Sequence, residues 1–367
     1  MVAVSSLLLL HTADACTGLK LTARDESVVH GRTLEFGIEI ATSIVVIPRN
    51  YEFTGKTPEG SGMSYKTKYG AVGCIAYDDI SILDGINEKG LAVGVFYFPG
   101  FAGYSKINKS SLSPIESYSD TTKDSQSKAL SPIEFSNWVL TQFATLEEVK
   151  TGLSSVIIVP TIYKDWGNEV PPFHYIVYDK EGNSLVIEPI DGKFVLYDNP
   201  LGVFTNSPTF DWHMTNLRNY IHFNAENAAP LKIDGVELAP FGQGSGMVGI
   251  PGDFTPPSRF VRATIFSAAA IRPSNDQEAV FQLFHILNQF DIPVGVARQT
   301  VNGVIHSDYT QVTSVKNPQT LMYYFKTYDN QSISMVDLKK FDLNAKEIKR
   351  ANTHGTEKII DISTSLK

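Results

Sequence analysis

The sequence predicts an α+β fold of four layers, two antiparallel sheets stacked on each other with helices on both outer faces (αββα). Two observations lead there. The elements run strands, helices, strands, helices, strands, which does not fit the βαβ alternation of a doubly wound parallel sheet. The strands in the middle of the chain are joined by Glu181-Gly182-Asn183 and Asp191-Gly192, short turns that make an antiparallel meander. No internal repeat of fixed period is present.

In chain order, Leu19 to Ala23 and Val28 to Gly31 flank the polar Arg24-Asp25-Glu26-Ser27, a hairpin that returns Gly31 to Phe36 to the neighbourhood of Cys16. Ser43 to Ile47 is β-branched and apolar, whereas 52–68, with its Gly, Ser and Lys, reads as loop. Two apolar runs, Ala71 to Tyr77 and Leu91 to Phe98, bracket Asp84 to Gly90, where Asn87-Glu88-Lys89-Gly90 makes a turn. Gly100 to Leu130 is polar and aperiodic, a long surface loop or insertion. Ser131-Pro132-Ile133-Glu134 is a capping box that opens a helix, and Thr145 to Glu148 repeats it for a short helix closed by Gly152. After the meander (Phe173 to Tyr178, Ser184 to Glu188, Phe194 to Tyr197) come helices over Asp211 to Phe223, Ser258 to Ile271 and Asn275 to Phe290, the last capped by Ser274 and Gln277. Strands return at Thr310 to Val315, Thr320 to Tyr328 and Ser332 to Val336.

With 31 basic and 39 acidic residues the net charge is −8, which argues against nucleic acid and gives no reason to expect an anionic membrane partner. Two cysteines are too few for a disulfide framework or a thiolate zinc site. Cys74, in an apolar strand, reads as an inert buried hydrophobe. Cys16 differs. It follows the short apolar run Val2 to Leu10 and the small residues Ala13 and Ala15, the pattern of a secretory leader cleaved after Ala15. Residues 1–15 are then a leader and 16–367 a single exported domain, periplasmic or secreted. A lipidated N-terminus is the weaker reading, because Ala13 stands where a lipoprotein leader wants Leu.

Cleavage would leave a thiol and a free α-amine on one residue. An α-amine titrates at roughly 7.7–8.0 and a thiol near 8.5, so nucleophile and proton acceptor come together. No other nucleophile has a visible activation mechanism. Gly244 to Gly249 matches a dinucleotide fingerprint in spacing, but Pro251-Gly252-Asp253 follows where a helix should open, so it reads as a glycine loop. The eight histidines form no metal-type cluster, and His285 reads as a core residue of its helix. Neither metal nor organic cofactor is expected.

Five further positions make sense around Cys16. Arg32 can set a fixed positive charge beside the sulfur, and Glu35 can hold the α-amine. Asn206 can donate its amide to a tetrahedral oxyanion, Tyr97 can add its backbone N–H and line an acyl pocket, and Arg259 can add charge stabilisation.

The segments Cys16 to Leu19, Gly31 to Glu35, Asp84 to Leu91, Thr205 to His213, Gly242 to Pro256 and Ser258 to Phe260 resemble, in family order, the cholylglycine hydrolases, that is, bile salt hydrolases and penicillin V acylases. The resemblance implies the N-terminal nucleophile hydrolase fold, often as a homotetramer (or a homodimer here), and an amidase acting through a Cys16 acyl-enzyme. It also implies roles: Arg32 beside the sulfur, Asn206 and the Tyr97 backbone in the oxyanion hole, and Arg259 at the transition state. Glu35 stands where compared members carry Asp. Tyr97 stands where penicillin V acylases carry Tyr and bile salt hydrolases typically Asn. The small-molecule substrates implied are penicillin V, slightly ahead of glycine- or taurine-conjugated bile salts, with N-acyl homoserine lactones third. An exported or lipid-anchored binding protein without turnover is the alternative from another class.

Overall fold

The computed structural model describes residues 15–107, 125–301, 303–357 and 359–366. The leader expected before Ala15 lies outside the described residues, as do 108–124 of the expected insertion. The two large sheets are built from β1 (Cys16–Thr22), β2 (Val28–Phe36), β3 (Thr42–Ile47), β4 (Ala71–Ala76), β5 (Ile82–Asn87), β6 (Ala92–Tyr97), β7 (Phe173–Tyr178), β8 (Ser184–Ile190), β9 (Lys193–Asp198), β10 (Ala297–Val301), β11 (Val304–Asn317), β12 (Met322–Thr327), β13 (Ser334–Asp337) and β14 (Lys349–Asn352). One sheet has the order β1-β2-β11-β12-β13, with β10 also on β11; the other runs β9-β8-β7-β6-β5-β4-β3-β14. The principal helices are α1 (Phe135–Gln142), α2 (Leu146–Gly152), α3 (Phe210–Leu217), α4 (Pro256–Ala269) and α5 (Asp276–Leu287). Helices α4 and α5 cover the first sheet and α1 the second, giving the αββα layering.

Strand β2 is buried along its whole length, as a strand covered on both faces must be. Gly31 lets α5 approach. A Cβ there would stand 2.8 Å from Leu287 Cδ1 and 2.9 Å from Leu283 Cδ2. By strand alternation, Val29, Thr33 and Glu35 share that helix-facing side, while His30, Arg32, Leu34 and Phe36 face the second sheet.

Polar groups join the sheets. Asp84 of β5 accepts hydrogen bonds from Lys316 Nζ (2.5 Å) and Ser314 Oγ (2.6 Å) of β11 and from Tyr323 OH (3.0 Å) of β12. All four residues are buried. Pairing of β5 with β6 reaches Asp84–Gly94, and Arg32 Nη1 occupies the next rung, donating to Leu83 O (3.3 Å) and Val95 O (2.5 Å). The guanidinium replaces strand partners for two carbonyls that would otherwise be orphaned.

Several local expectations change. Residues 52–68 are not loop: Glu52–Thr57 and Gly60–Lys66 pair as a hairpin whose largely exposed face hides the apolar alternation. Asp84 to Asn87 belong to strand β5, because Asp84 and Asn87 have buried partners that make polar strand positions affordable. The turn is confined to the residues after Asn87. Ser131 donates both its N–H (3.0 Å) and its hydroxyl (2.7 Å) to Glu134 Oε2, but the expected box is not closed and the helix begins at Phe135. The cap of α5 is Asn275, whose Oδ1 accepts from Glu278 N while Glu278 returns to Ser274 N, one residue beyond the expected pair. His285 is exposed, on the outer side of α5. Ala129–Leu130, at the end of the expected loop, is buried and pairs with Ile157–Ile158. At Gly244 the chain makes a short 3-10 turn, Ser245–Met247, tied by Asn227 Oδ1 to the N–H groups of Gly244 and Ser245.

Asp84→Ala would leave Lys316 buried beside an empty site. The expected cost is about 3–5 kcal/mol, measured by urea denaturation. Replacing both residues, Asp84→Leu with Lys316→Met, is expected to recover a substantial part of it.

Candidate active site

Cys16 opens β1 and pairs with Leu34 of β2, so its side chain points to the same side as Leu34 and Arg32, between the sheets. It is buried, 5 % exposed. On the free edge of β1, Gly18 and Phe204 exchange backbone hydrogen bonds of 2.8 and 2.9 Å. That antiparallel bridge carries Asn206 directly opposite Cys16. Asn206 Oδ1 accepts Cys16 N–H at 2.8 Å, and Asn206 Nδ2 donates to Tyr97 O at 2.9 Å.

Arg259 comes from the first turn of α4 and is fully buried. Its Nη2 donates to Asn206 Oδ1 (2.8 Å), Nη1 to Cys16 O and to Thr17 Oγ1 (3.0 Å), and Nε to Phe254 O (2.8 Å). Burial pulls its pKa down to about 10, opposed by Glu35 and Cys16. On the other side of β2, Arg32 stacks over the Phe96 ring at 4.1 Å. Burial raises the Cys16 thiol above its ordinary value; Arg32 opposes this, Glu35 adds to it, and Arg259 pulls down again. With Ala15 still attached, the net thiol is therefore less acidic than the expectation of a thiolate beside Arg32.

Glu35 lies on the helix-facing side of β2. Its Oε1 accepts from Thr310 Oγ1 (3.0 Å), and among the described residues its Oε2 has no hydrogen-bond partner. The atom on Cys16 N is thus Asn206 Oδ1, not Glu35, because alternation along β2 aims Glu35 away from the cysteine side chain. Burial lifts Glu35 to about 8 against the pull of Arg259. The backbone N–H of Glu35 donates to Ala15 O at 3.1 Å.

The structure therefore gathers Cys16, Arg32, Asn206, Arg259 and the Tyr97 carbonyl around one point, with Glu35 behind the strand. Tyr97 also contributes a half-buried ring, edge-on to Phe36 and Phe173 (6.2 Å each). Trp166 joins the same ring cluster, at 5.4 Å from Phe36, 5.2 Å from Phe173 and 5.8 Å from Tyr77. Phe36 is on the cysteine face of β2.

A family model, "linear amide C-N hydrolases, choloylglycine hydrolase family", matches residues 16–351. The chain belongs to the choloylglycine hydrolase family. It is 35% identical over 339 residues to a bile salt hydrolase/transferase of Clostridium perfringens, covering 91% of this chain and 95% of that one. A crystal structure of a variant of the conjugated bile acid hydrolase of Clostridium perfringens superposes with a TM-score of 0.80 at 34% identity, covering 95% of this chain and all of that one (100%). A penicillin V acylase from Agrobacterium tumefaciens gives a TM-score of 0.69 at 26% identity, covering 92% and 91%. As a member of this family the chain is a hydrolase of linear amides, and its αββα layers are the N-terminal nucleophile hydrolase fold.

Sequence reasoning missed Thr17, Thr310 and Asp308. Thr17 and Thr310 are ordinary strand threonines until their hydroxyls meet Arg259 and Glu35. Asp308 is buried on β11, and burial lifts it to about 7 against the opposing pull of Arg259. No sequence signal marks any of them. Cys74 is buried as expected, its thiol pushed up to about 12 by burial.

Glu35 gives a pH prediction for the chain that retains Ala15. Its folded pKa of about 8 exceeds the unfolded value of 4.5, so the native state holds a proton that the unfolded chain releases in that window. Its contribution is complete below the unfolded value and fades as pH rises to about 8. Wild-type Tm is expected to fall more between about pH 5 and about pH 8 than that of Glu35→Gln, measured by calorimetry.

Proposed function

We propose that the mature protein is an exported N-terminal cysteine amidase, formed by removal of residues 1–15. The observation that carries this reading is the Cys16 nitrogen. It is a peptide nitrogen here and stands in for the α-amine, held 2.8 Å from an asparagine oxygen that is itself fixed by Arg259. The freed amine takes the thiol proton, the sulfur attacks the amide carbonyl, and the amine returns the proton to the leaving nitrogen as the C–N bond breaks. Water then hydrolyses the thioester and releases the acid. One Asn206 Nδ2 hydrogen serves Tyr97 O; the second is the donor for the oxyanion, with the Tyr97 backbone as its companion. Arg259 supports the developing charge through Asn206. The family match beginning at Cys16 supports this assignment.

The rings of Phe36, Tyr97, Trp166 and Phe173 favour a flat aromatic acyl group, which packs edge-on against them. This supports penicillin V as the first substrate reading, ahead of conjugated bile salts. The identity to a bile salt hydrolase/transferase supports bile salts as the second reading. Self-association as a homotetramer or homodimer is supported by the ribbon Leu231–Ile233 and Val236–Leu238, whose apolar side chains, with Phe241 nearby in the chain, are exposed.

Intact mass is expected to show loss of residues 1–15 with an unmodified Cys16; an acylated Cys16 would instead support the anchored binding protein. Cys16→Ala is expected to abolish turnover of penicillin V and glycocholate assayed in parallel, and full activity in that variant would end the proposal. Trp166→Ala is expected to raise KM for penicillin V by roughly tenfold, the value of one lost ring contact. An unchanged KM would remove the aromatic-acyl preference.

A further inference from the structure

Asn206 is held at its side chain by three partners, but its backbone has left the strand ladder. The last exchanged pair on the edge of β1 is Gly18–Phe204, so the carbonyls of Thr205 and Asn206 point beyond it. Two histidines take them. His174 Nε2, from β7, lies 3.1 Å from Thr205 O, and His213 Nε2, from α3, lies 2.9 Å from Asn206 O. A carbonyl only accepts, so both Nε2 atoms carry the proton.

The rings are built into place. His174 stacks on Phe98 with centroids 4.1 Å apart and planes 9° from parallel, and also lies 4.2 Å from the Phe204 ring. His213 stacks on Phe260, the neighbour of Arg259 in α4, at 4.7 Å and 14°. Both are buried, at 1 % and 2 % exposure. Glu188 of β8 ties the two together: its Oε1 accepts Phe210 N at the start of α3 (2.9 Å) and faces His174 Nδ1 at 3.4 Å. Among the described residues His213 Nδ1 has no hydrogen-bond partner, so the one bond this ring makes is to Asn206 O.

We infer that His174 and His213 are positioning residues for amide hydrolysis, a pair of imidazole donors that clamps the successive carbonyls of Thr205 and Asn206. The clamp keeps the Asn206 amide aimed between Cys16 N and Tyr97 O. It rests on the reading of Cys16 and Asn206 given above. The leverage is geometric, because a displacement of about 1 Å in a group that orients the reacting centre can cost on the order of a hundredfold in rate.

The test uses His213→Phe, which keeps a ring against Phe260 and removes the donor, and His213→Gln, which restores an N–H. On whichever of penicillin V and glycocholate the wild type hydrolyses, His213→Phe is expected to lower kcat by roughly tenfold or more with KM within about twofold, and His213→Gln to recover most of the loss. In the Asn206→Ala background His213→Phe is expected to change kcat by less than about twofold, because its effect runs through Asn206. A full, multiplicative loss in that background, or equal loss in the Phe and Gln variants, would overturn the clamp. A readout free of substrate is the crystal structure of His213→Phe, in which Asn206 Oδ1 is expected to have left Cys16 N by about 1 Å or more. An unmoved Asn206 overturns the clamp even where the wild type cleaves neither substrate, an inactivity that counts against the proposed function and not against the clamp. Should His213→Phe fail to fold, His174→Gln and His174→Phe provide the same comparison at Thr205 O.

Discussion

A single oxygen, Asn206 Oδ1, receives two N–H groups at once, from Cys16 and from the buried Arg259 guanidinium. Three distant parts of the chain meet there: the strand that begins at Cys16, the segment leaving the meander, and the first turn of α4. The arrangement is self-limiting. Arg259 is buried, and a cation in that position is tolerable only among acceptors, which here are Phe254 O, Cys16 O, Thr17 Oγ1 and Asn206 Oδ1 for four of its five N–H groups. Displacing Asn206 or Cys16 would strand the charge, so the fold and the candidate site stabilise each other.

The alternation of β2 distributes charge around the thiol. On one face Arg32 fills the place where β5 and β6 stop pairing, and the Asp84–Lys316 pair lies in the same layer. On the other face Glu35, Thr33 and Arg259 form a separate polar layer beneath the helices. The sulfur therefore feels Arg32 from its own side of the sheet, while Glu35 acts from behind it and works against ionisation. Burial disfavours the thiolate while Ala15 is attached. Removing that residue would place a titratable amine at the nitrogen now held by Asn206, a new charge near the sulfur.

Much of the architecture was legible because it is local. The meander turns at Gly182 and Gly192, the capping of α2 by Thr145 and the apolar period of α5 each depend on residues a few positions apart. Misreadings arose where a distant partner overrides composition. Asp84 sits in a central strand because Lys316, Ser314 and Tyr323 satisfy it, and the hairpin after Tyr51 is written in Gly, Ser, Thr and Lys because most of its face is exposed. His285 repeats the point in reverse, since a histidine at apolar spacing turned out to face solvent.

Residue order alone marked Cys16, named Arg32, Asn206, Tyr97 and Arg259 as candidates around it, and predicted the αββα scaffold, the motifs that carry Asn206 and Arg259 being long and specific. Only the folded molecule assigned partners to their atoms. It put Asn206, not Glu35, on the cysteine nitrogen, and brought Thr17, Asp308, His174 and His213 into the surroundings. Those contacts join residues as far as 243 positions apart, through strand register and helix packing that no local pattern of side chains encodes.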